Sequence, residues 1–243
     1  MKRIMLTISY DGTDYHGWQV QPNGVTVQQT LQDALENLMG HRPDVTGCSR
    51  TDAGVHARMF VCHFDCVDKF PKYAFLKGLN SLLPDDISVI DCSVVNSDFH
   101  ARYNSKGKTY IYSMYSGALN PFVARYKLHI EKVPDIDLMN EFCSGIIGTH
   151  DFTGFSSSKR TTQDTVRTVS ECKVFAEGNN IYFKITADGF LYNMVRILAG
   201  TALAVGYKRL SADCYNEIFE TLDRAKAGDT LAPHGLILNT VYY

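Results

Sequence analysis

The 243-residue sequence lacks the long apolar run that a membrane-spanning helix requires. Such a helix takes about 18 or more consecutive apolar residues, and no run of that length occurs. The N-terminus, "MKRIMLTISY", becomes polar and alternating before the apolar region of a signal peptide could form. With 45% hydrophobic and 21% charged residues, the composition is typical of a folded soluble protein. We therefore expect a cytoplasmic protein that does not associate with a membrane.

The sequence also lacks paired cysteines. Its seven cysteines are scattered without any C-x-x-C spacing, which argues against both a disulfide framework and a zinc ribbon. The closest approach to a metal cluster is "CHFDC" at 62–66. On a strand, however, its two cysteines share one face while His63 points to the other. Because a closed zinc site requires four converging ligands, we expect no metal site here.

Several motifs of common enzyme classes are missing as well. The sequence contains no Gly-rich loop ending in Gly-Lys-Ser/Thr, no G-x-G-x-x-G, no G-x-S-x-G and no H-E-x-x-H. These absences count against ATP-dependent, nicotinamide-dependent and zinc-dependent chemistry.

The charge is close to balanced but unevenly distributed. A net charge of −2 and a pI near 6.4 argue weakly against a polyanionic partner. Two segments, 100–110 and 156–169, are nevertheless rich in basic side chains. Their basic residues are Arg102, Lys106, Lys108, Lys159, Arg160 and Arg167. Such clusters form either a locally positive binding face or an ordinary solvated surface.

Hydrophobic periodicity predicts a chain of mixed strands and helices. The predicted strands lie at about 3–10, 58–65, 87–95, 107–115, 168–176, 181–187 and 235–243. The predicted helices lie at 27–39, 75–83, 135–147, 190–206 and 211–226. Thr26 and Gly40 are the expected caps of the first helix. The pattern predicts an α+β fold with two similar lobes, 1–100 and 101–243, that share a sheet.

The stretch "CSRTDAGVHA" at 48–57 places charged residues at the start of a predicted buried strand. Arg50 and Asp52, two residues apart, would lie on the same side of an extended segment, and Gly54 permits a turn. A nearby cation keeps a partly desolvated carboxylate ionised, as a carboxylate nucleophile requires. Alternatively, Asp52 is a turn residue whose side chain caps nearby amides.

A second unusual position is Arg196, which lies in the apolar segment "NMVRILAG". A buried guanidinium requires a partner, and a carboxylate such as that of Asp52 would serve. The alternative is that the side chain extends along the helix to solvent.

Six motifs occur in an order that resembles the tRNA pseudouridine synthase A family and covers nearly the whole chain. The motifs are "YDGTDYHGWQVQ", "SRTDAGVHA", "FHARYNSKGKTYIYSMY", "GTHDFTGF", "DGFLYNMVRILAG" and "APHGLILNTVYY". Two departures are Ser49, where the family often has Gly, and "MFVCHFD", which replaces a strand start that usually contains Gln-Val. Neither departure changes Asp52, Arg50 or Tyr110.

The resemblance implies a cofactor-free isomerase that converts uridine to pseudouridine in tRNA. The family acts at positions 38, 39 and 40 of the anticodon stem-loop and works as a homodimer in which tRNA contacts both subunits. It has the pseudouridine synthase fold, with a mixed, largely antiparallel central sheet shared by two α/β lobes and with helices packed on the sheet.

The resemblance also implies roles for individual residues. Asp52 is the expected nucleophile, and Arg50 is expected to enter the stem and help displace the target base. Tyr110 is expected to pack on the uracil and to assist proton transfer, and Arg196 is the expected basic partner of Asp52. Phosphate contacts are expected from Arg102, Lys106, Lys108, Lys159 and Arg160.

Two other functions remain open from the residues alone. One is a noncatalytic RNA-binding module in which Tyr110 and Phe64 stack on bases and Asp52 only caps a turn. The other is a small-molecule hydrolase that uses Asp52 and His56 as an acid and base pair.

Overall fold

A computed structural model describes residues 1–67, 70–158 and 162–243. Within these ranges the strands are β1 (Lys2–Tyr10), β2 (Thr46–Gly47), β3 (His56–Cys66), β4 (Ile87–Val95), β5 (Gly107–Ser116), β6 (Leu128–Ile130), β7 (Gly148–Asp151), β8 (Val166–Glu177), β9 (Asn180–Ala187) and β10 (Leu236–Tyr242). The α-helices are α1 (Val27–Met39), α2 (Pro121–Ala124), α3 (Ile136–Ile146), α4 (Met194–Gly206) and α5 (Cys214–Thr221). A π-helical segment, Ala74–Gly78, precedes β4. None of the helices in the described ranges is long and apolar enough to cross a membrane.

The chain divides into two compact units. The first comprises Met1–Lys106 and Ile237–Tyr243, and the second comprises Gly107–Leu236. The sequence-based division assigns the last strand to the second lobe, whereas the structure groups most of it with the first unit. Within the first unit β10 runs parallel to β3, with Ile237 opposite His56.

In the first unit the strands β4, β1, β3 and β10 are neighbours in that order. β1 is antiparallel to both β3 and β4, and the short β2 is antiparallel to β3. The alternating apolar residues of β1 are buried, as the sequence pattern predicts. The predicted caps of α1 are confirmed: Thr26 Oγ1 accepts from the Gln29 amide at 3.3 Å, and Gly40 ends the helix with φ +77°.

The second unit contains both antiparallel and parallel strand pairs. β5, β9, β8 and β7 are neighbours in that order with antiparallel pairing, and β6 runs parallel to β5. The helix α3 packs on β8 and on α4. α4 is almost entirely buried, as its apolar sequence predicts.

The predicted α+β class, with mixed and largely antiparallel pairing and helices packed on the strands, is confirmed. Three predicted helix boundaries are wrong. The helix predicted over 75–83 ends before residue 81. The apolar helix begins at Met194 rather than near residue 190, because Asn193 has a left-handed backbone with φ +60°. The helix predicted over 211–226 ends at Thr221, because Leu222 is also left-handed, with φ +55°. A short 3₁₀ turn, Arg224–Lys226, follows.

Candidate active site

Asp52 lies on the turn that leads from β2 into β3. Its carbonyl oxygen accepts a hydrogen bond from the Val55 amide at 3.2 Å. Gly54, the third residue of this turn, has φ +76°, a backbone conformation that favours glycine. The expectation that Gly54 permits a turn is therefore confirmed. Asp52 is half-buried, just before the buried start of β3.

The loop that follows β1 holds the Asp52 turn through backbone hydrogen bonds. The Trp18 amide donates to the Thr51 carbonyl at 3.2 Å, and the Gly54 amide donates to the Tyr15 carbonyl at 3.2 Å. These two bonds bracket Asp52 on either side in the sequence. The backbone that carries the carboxylate is thus fixed by a segment more than thirty residues earlier in the chain.

Two glycines of this loop allow the close approach. A Cβ at Gly12 would lie 2.0 Å from the Val55 carbonyl oxygen. A Cβ at Gly17 would lie 2.3 Å from the Thr51 carbonyl oxygen, and Gly17 also has φ +85°. These two glycines are site residues that the sequence alone does not reveal. The motif "YDGTDYHG" contains both glycines, but the sequence does not indicate which backbone segment they contact.

His56 connects the same loop to the start of β3. Its side chain is buried, and Nδ1 lies 3.0 Å from both the Gly12 amide nitrogen and Asp11 Oδ1. An unprotonated Nδ1 accepts from the amide, whereas a protonated Nδ1 donates to the carboxylate. In either state the ring is engaged with the loop, which supports a structural role for His56 over that of an acid or base.

Arg50 is exposed two residues before Asp52. Its guanidinium can therefore reach a bound macromolecule without any change in the core. The segment between Arg50 and Asp52 is anchored by a buried hydrogen bond of 2.9 Å between the Tyr10 hydroxyl and Thr51 Oγ1.

In the second unit, Tyr110 is held in place by packing on a central strand. It lies on β5 opposite Ile185 of β9, and its side chain is buried. The Phe190 ring contacts it edge-on, with ring centroids 5.0 Å apart and an interplanar angle of 82°. An aromatic pair in this geometry fixes the orientation of the Tyr110 ring.

Arg196 lies in the first turn of α4 and is half-buried. Its Nε donates to the Leu231 carbonyl at 2.6 Å, and a terminal guanidinium nitrogen donates to Asn193 Oδ1 at 2.8 Å. Burial raises the pKa of the Tyr112 phenol, and the Arg196 charge partly offsets that rise. The pairing of Arg196 with Asp52 stays a prediction.

The basic residues proposed to bind phosphate differ in exposure. Arg102 and Lys106 are exposed, whereas Lys108 is only 7% exposed on β5. Lys159 and Arg160 lie outside the described residues. Exposure therefore favours Arg102 and Lys106 over Lys108 as phosphate contacts.

The cysteines of "CHFDC" are both buried on β3. Burial raises the pKa of the Cys62 thiol, which opposes the thiolate form that binds metals. No group of three or more His, Cys, Asp and Glu side chains that could hold a metal ion occurs in the part of the chain that the structure describes.

Comparisons with known proteins show which family this chain is similar to. A family model described as "tRNA pseudouridine synthase" matches residues 6–104 and 142–243. The chain is 46% identical over 244 residues to tRNA pseudouridine synthase A of Clostridium kluyveri, 44% identical to that of Caldicellulosiruptor saccharolyticus and 42% identical to tRNA pseudouridine synthase A 2 of Clostridium perfringens. Each match covers 100% of both chains.

Similarity to solved structures is more distant. An archaeal box H/ACA sRNP Nop10-Cbf5 complex matches at a TM-score of 0.32 and 13% identity, over 82% of this chain and 44% of that one. A likeness at that level supports no further conclusion. The full-length relatives and the family model place this chain in the tRNA pseudouridine synthase family.

Proposed function

We propose that this protein converts uridine to pseudouridine at positions 38, 39 and 40 of the tRNA anticodon stem-loop, with Asp52 as the nucleophile. The observation that carries the reaction class is full-length similarity to tRNA pseudouridine synthase A proteins. What supports Asp52 is its place on a turn that two backbone hydrogen bonds hold in position. A carboxylate carried on a fixed backbone is suited to covalent catalysis.

The reaction requires no external oxidant or energy source, because the product is an isomer of the substrate. The bond between C1′ and N1 breaks, the uracil rotates while it is held, and C5 forms a bond to C1′. The proton on C5 is released, and N1 gains a proton. A carboxylate near C1′ stabilises the positive charge that develops there, as in glycoside hydrolysis. Addition of Asp52 to the sugar, its addition to the base and a glycal route all satisfy this balance.

Base flipping gives the enzyme access to the target nucleotide. A uridine in a helical stem must leave the stack, at a cost of a few kcal/mol. Arg50 is exposed beside Asp52, and its planar guanidinium is suited to replacing the displaced base. Tyr110 supplies an aromatic ring that packs on the uracil. Arg196 pairs with the Asp52 carboxylate and keeps it ionised.

Contacts with the phosphates supply most of the affinity for tRNA. Arg102 and Lys106 are exposed and are the best supported of the proposed contacts. In a homodimer the basic surfaces of two subunits combine, so a net charge of −2 per chain is compatible with a polyanionic substrate.

Position mapping tests the proposed substrate. The purified protein is incubated with a tRNA transcript that has uridine at positions 38, 39 and 40, and pseudouridine is mapped along the product. Matched transcripts carry cytidine at one, two or all three of these positions. We expect modification only where uridine remains at these positions. Pseudouridine that persists in the transcript with three cytidines would contradict the proposed specificity.

A further inference from the structure

The loop of residues 99–106, "FHARYNSK", presents an exposed aromatic ring among basic side chains; we call it the Tyr103 loop. Tyr103 is 76% exposed, although it is a large aromatic residue. Its ring centroid lies 4.3 Å from that of His100, and the Arg102 guanidinium carbon lies 5.9 Å from it. Lys106 is also exposed, and the loop contains no acidic residue.

Two histidine rings of the first unit accept hydrogen bonds from the backbone of the Tyr103 loop. His100 Nδ1 accepts from the amides of Arg102 and Tyr103, each at 3.2 Å. The Ala101 amide donates to Nδ1 of the buried His63 at 3.1 Å. Burial lowers the pKa of His63 to about 4. The His63 ring is therefore neutral at pH 7 and remains a hydrogen-bond acceptor for the loop.

Segments of the first unit that are distant in sequence also bind the backbone of this loop. The Tyr243 hydroxyl donates to the Ala101 carbonyl at 2.6 Å, and the Lys106 amide donates to the Tyr242 carbonyl at 2.8 Å. At the start of the loop, Arg3 donates to the Phe99 carbonyl at 2.8 Å. The exposed Tyr103 ring therefore lies on a loop whose backbone is hydrogen-bonded at both ends and in the middle.

We propose that Tyr103 is a tRNA-binding residue whose ring stacks on a base of the substrate while Arg102 and Lys106 contact neighbouring phosphates. An aromatic face binds bases with little regard to their identity, and the basic charges of the loop complement the phosphate backbone. Because the loop is already ordered, binding loses little conformational entropy. This inference rests on the proposed function, since it takes tRNA as the occupant.

Affinity for tRNA tests the proposal directly. The dissociation constant is measured by fluorescence anisotropy, at one fixed salt concentration, for wild type, Tyr103→Ala and Tyr103→Phe. The matched control is Tyr73→Ala, because Tyr73 is 66% exposed in the same unit but lies outside the Tyr103 loop. We expect Tyr103→Ala to weaken binding about tenfold, in line with the loss of one stacked base. Tyr103→Phe, which keeps the ring, and Tyr73→Ala should bind like wild type.

Two further measurements separate the possible causes of a change. In single-turnover kinetics, Tyr103→Ala should raise the tRNA concentration needed for half-maximal rate more than it lowers the maximal rate. Sedimentation velocity should give the same oligomeric state for wild type and Tyr103→Ala. A variant that dissociates into smaller species would assign Tyr103 to contact with a second copy and would overturn the proposal.

The outcomes also separate this inference from the proposed function. A wild-type protein that fails to bind tRNA would overturn both. A wild type that binds and modifies tRNA, alongside a Tyr103→Ala variant of equal affinity, would overturn only the role of Tyr103.

Discussion

Replacing Gly17 with alanine tests whether the loop after β1 holds the Asp52 turn. The new Cβ would lie 2.3 Å from the Thr51 carbonyl oxygen, which is backbone and cannot rotate away. Gly17 also has φ +85°, so alanine is strained there whatever the space. The loop or the Asp52 turn must therefore move.

Gly40→Ala is the matched control for this substitution. Gly40 has φ +77° but no atom lies within 4 Å of its added Cβ. The left-handed backbone costs an alanine roughly 1–2 kcal/mol at either position. At Gly17 the clash also weakens the hydrogen bond from Trp18 to Thr51, which is worth about 0.5–1.5 kcal/mol. We expect Gly17→Ala to lower the free energy of unfolding by about 1.5–3.5 kcal/mol and Gly40→Ala by about 1–2 kcal/mol.

Both variants should remain folded, because domains are stable by about 5–15 kcal/mol. Their activities should differ much more than their stabilities. A displacement of about 1 Å at a reacting group can cost on the order of a hundredfold in rate. Urea unfolding and single-turnover pseudouridine formation are measured on both variants. If Gly17→Ala retains the rate of Gly40→Ala, packing of the two loops is not what positions Asp52.

Three other predictions follow from particular side chains. The pKa of His63 is lowered to about 4 from an ordinary value of 6.5, so its contribution to stability is complete above pH 6.5 and is lost as the pH falls towards 4. Urea unfolding should show that the free energy of unfolding falls by roughly 3 kcal/mol over that range. The same dependence of the free energy of unfolding on pH in His63→Asn would contradict this prediction. Arg102→Gln should reduce the slope of log Kd for tRNA against log salt by about one, and an unchanged slope would exclude a phosphate contact. Tyr110→Phe keeps the ring that packs on Phe190 but loses the hydroxyl. If that hydroxyl transfers a proton, the rate of single-turnover modification should fall by about a hundredfold or more, while tRNA affinity is unchanged. A rate equal to that of wild type would restrict Tyr110 to packing.

Much of the fold could be predicted because its signals are local. Thr26 and Gly40 cap the two ends of α1 through interactions that involve only neighbouring residues. The long strand β1 shows its burial in the spacing of its apolar residues. The short strands β2, β6 and β7 contain two to four residues, too few to show a period.

The errors arose where tertiary structure decides the backbone. Asn193 and Leu222 adopt left-handed conformations that the surrounding apolar pattern does not indicate. At the site, the motif around Asp52 and the turn at Gly54 were evident from the sequence. The close packing of Gly12 and Gly17 on that motif was not, because it joins segments more than thirty residues apart.

The most direct test of the account is tritium release from tRNA labelled at uridine C5, measured with Asp52→Asn. The amide preserves the shape of the side chain but removes the nucleophilic charge. The control is Asp44→Asn, which changes an exposed carboxylate elsewhere in the first unit. We predict that Asp52→Asn binds tRNA with the affinity of wild type and releases no tritium, while Asp44→Asn releases it at the wild-type rate. Tritium release by Asp52→Asn at the rate of the control would contradict the assignment of Asp52 as the nucleophile.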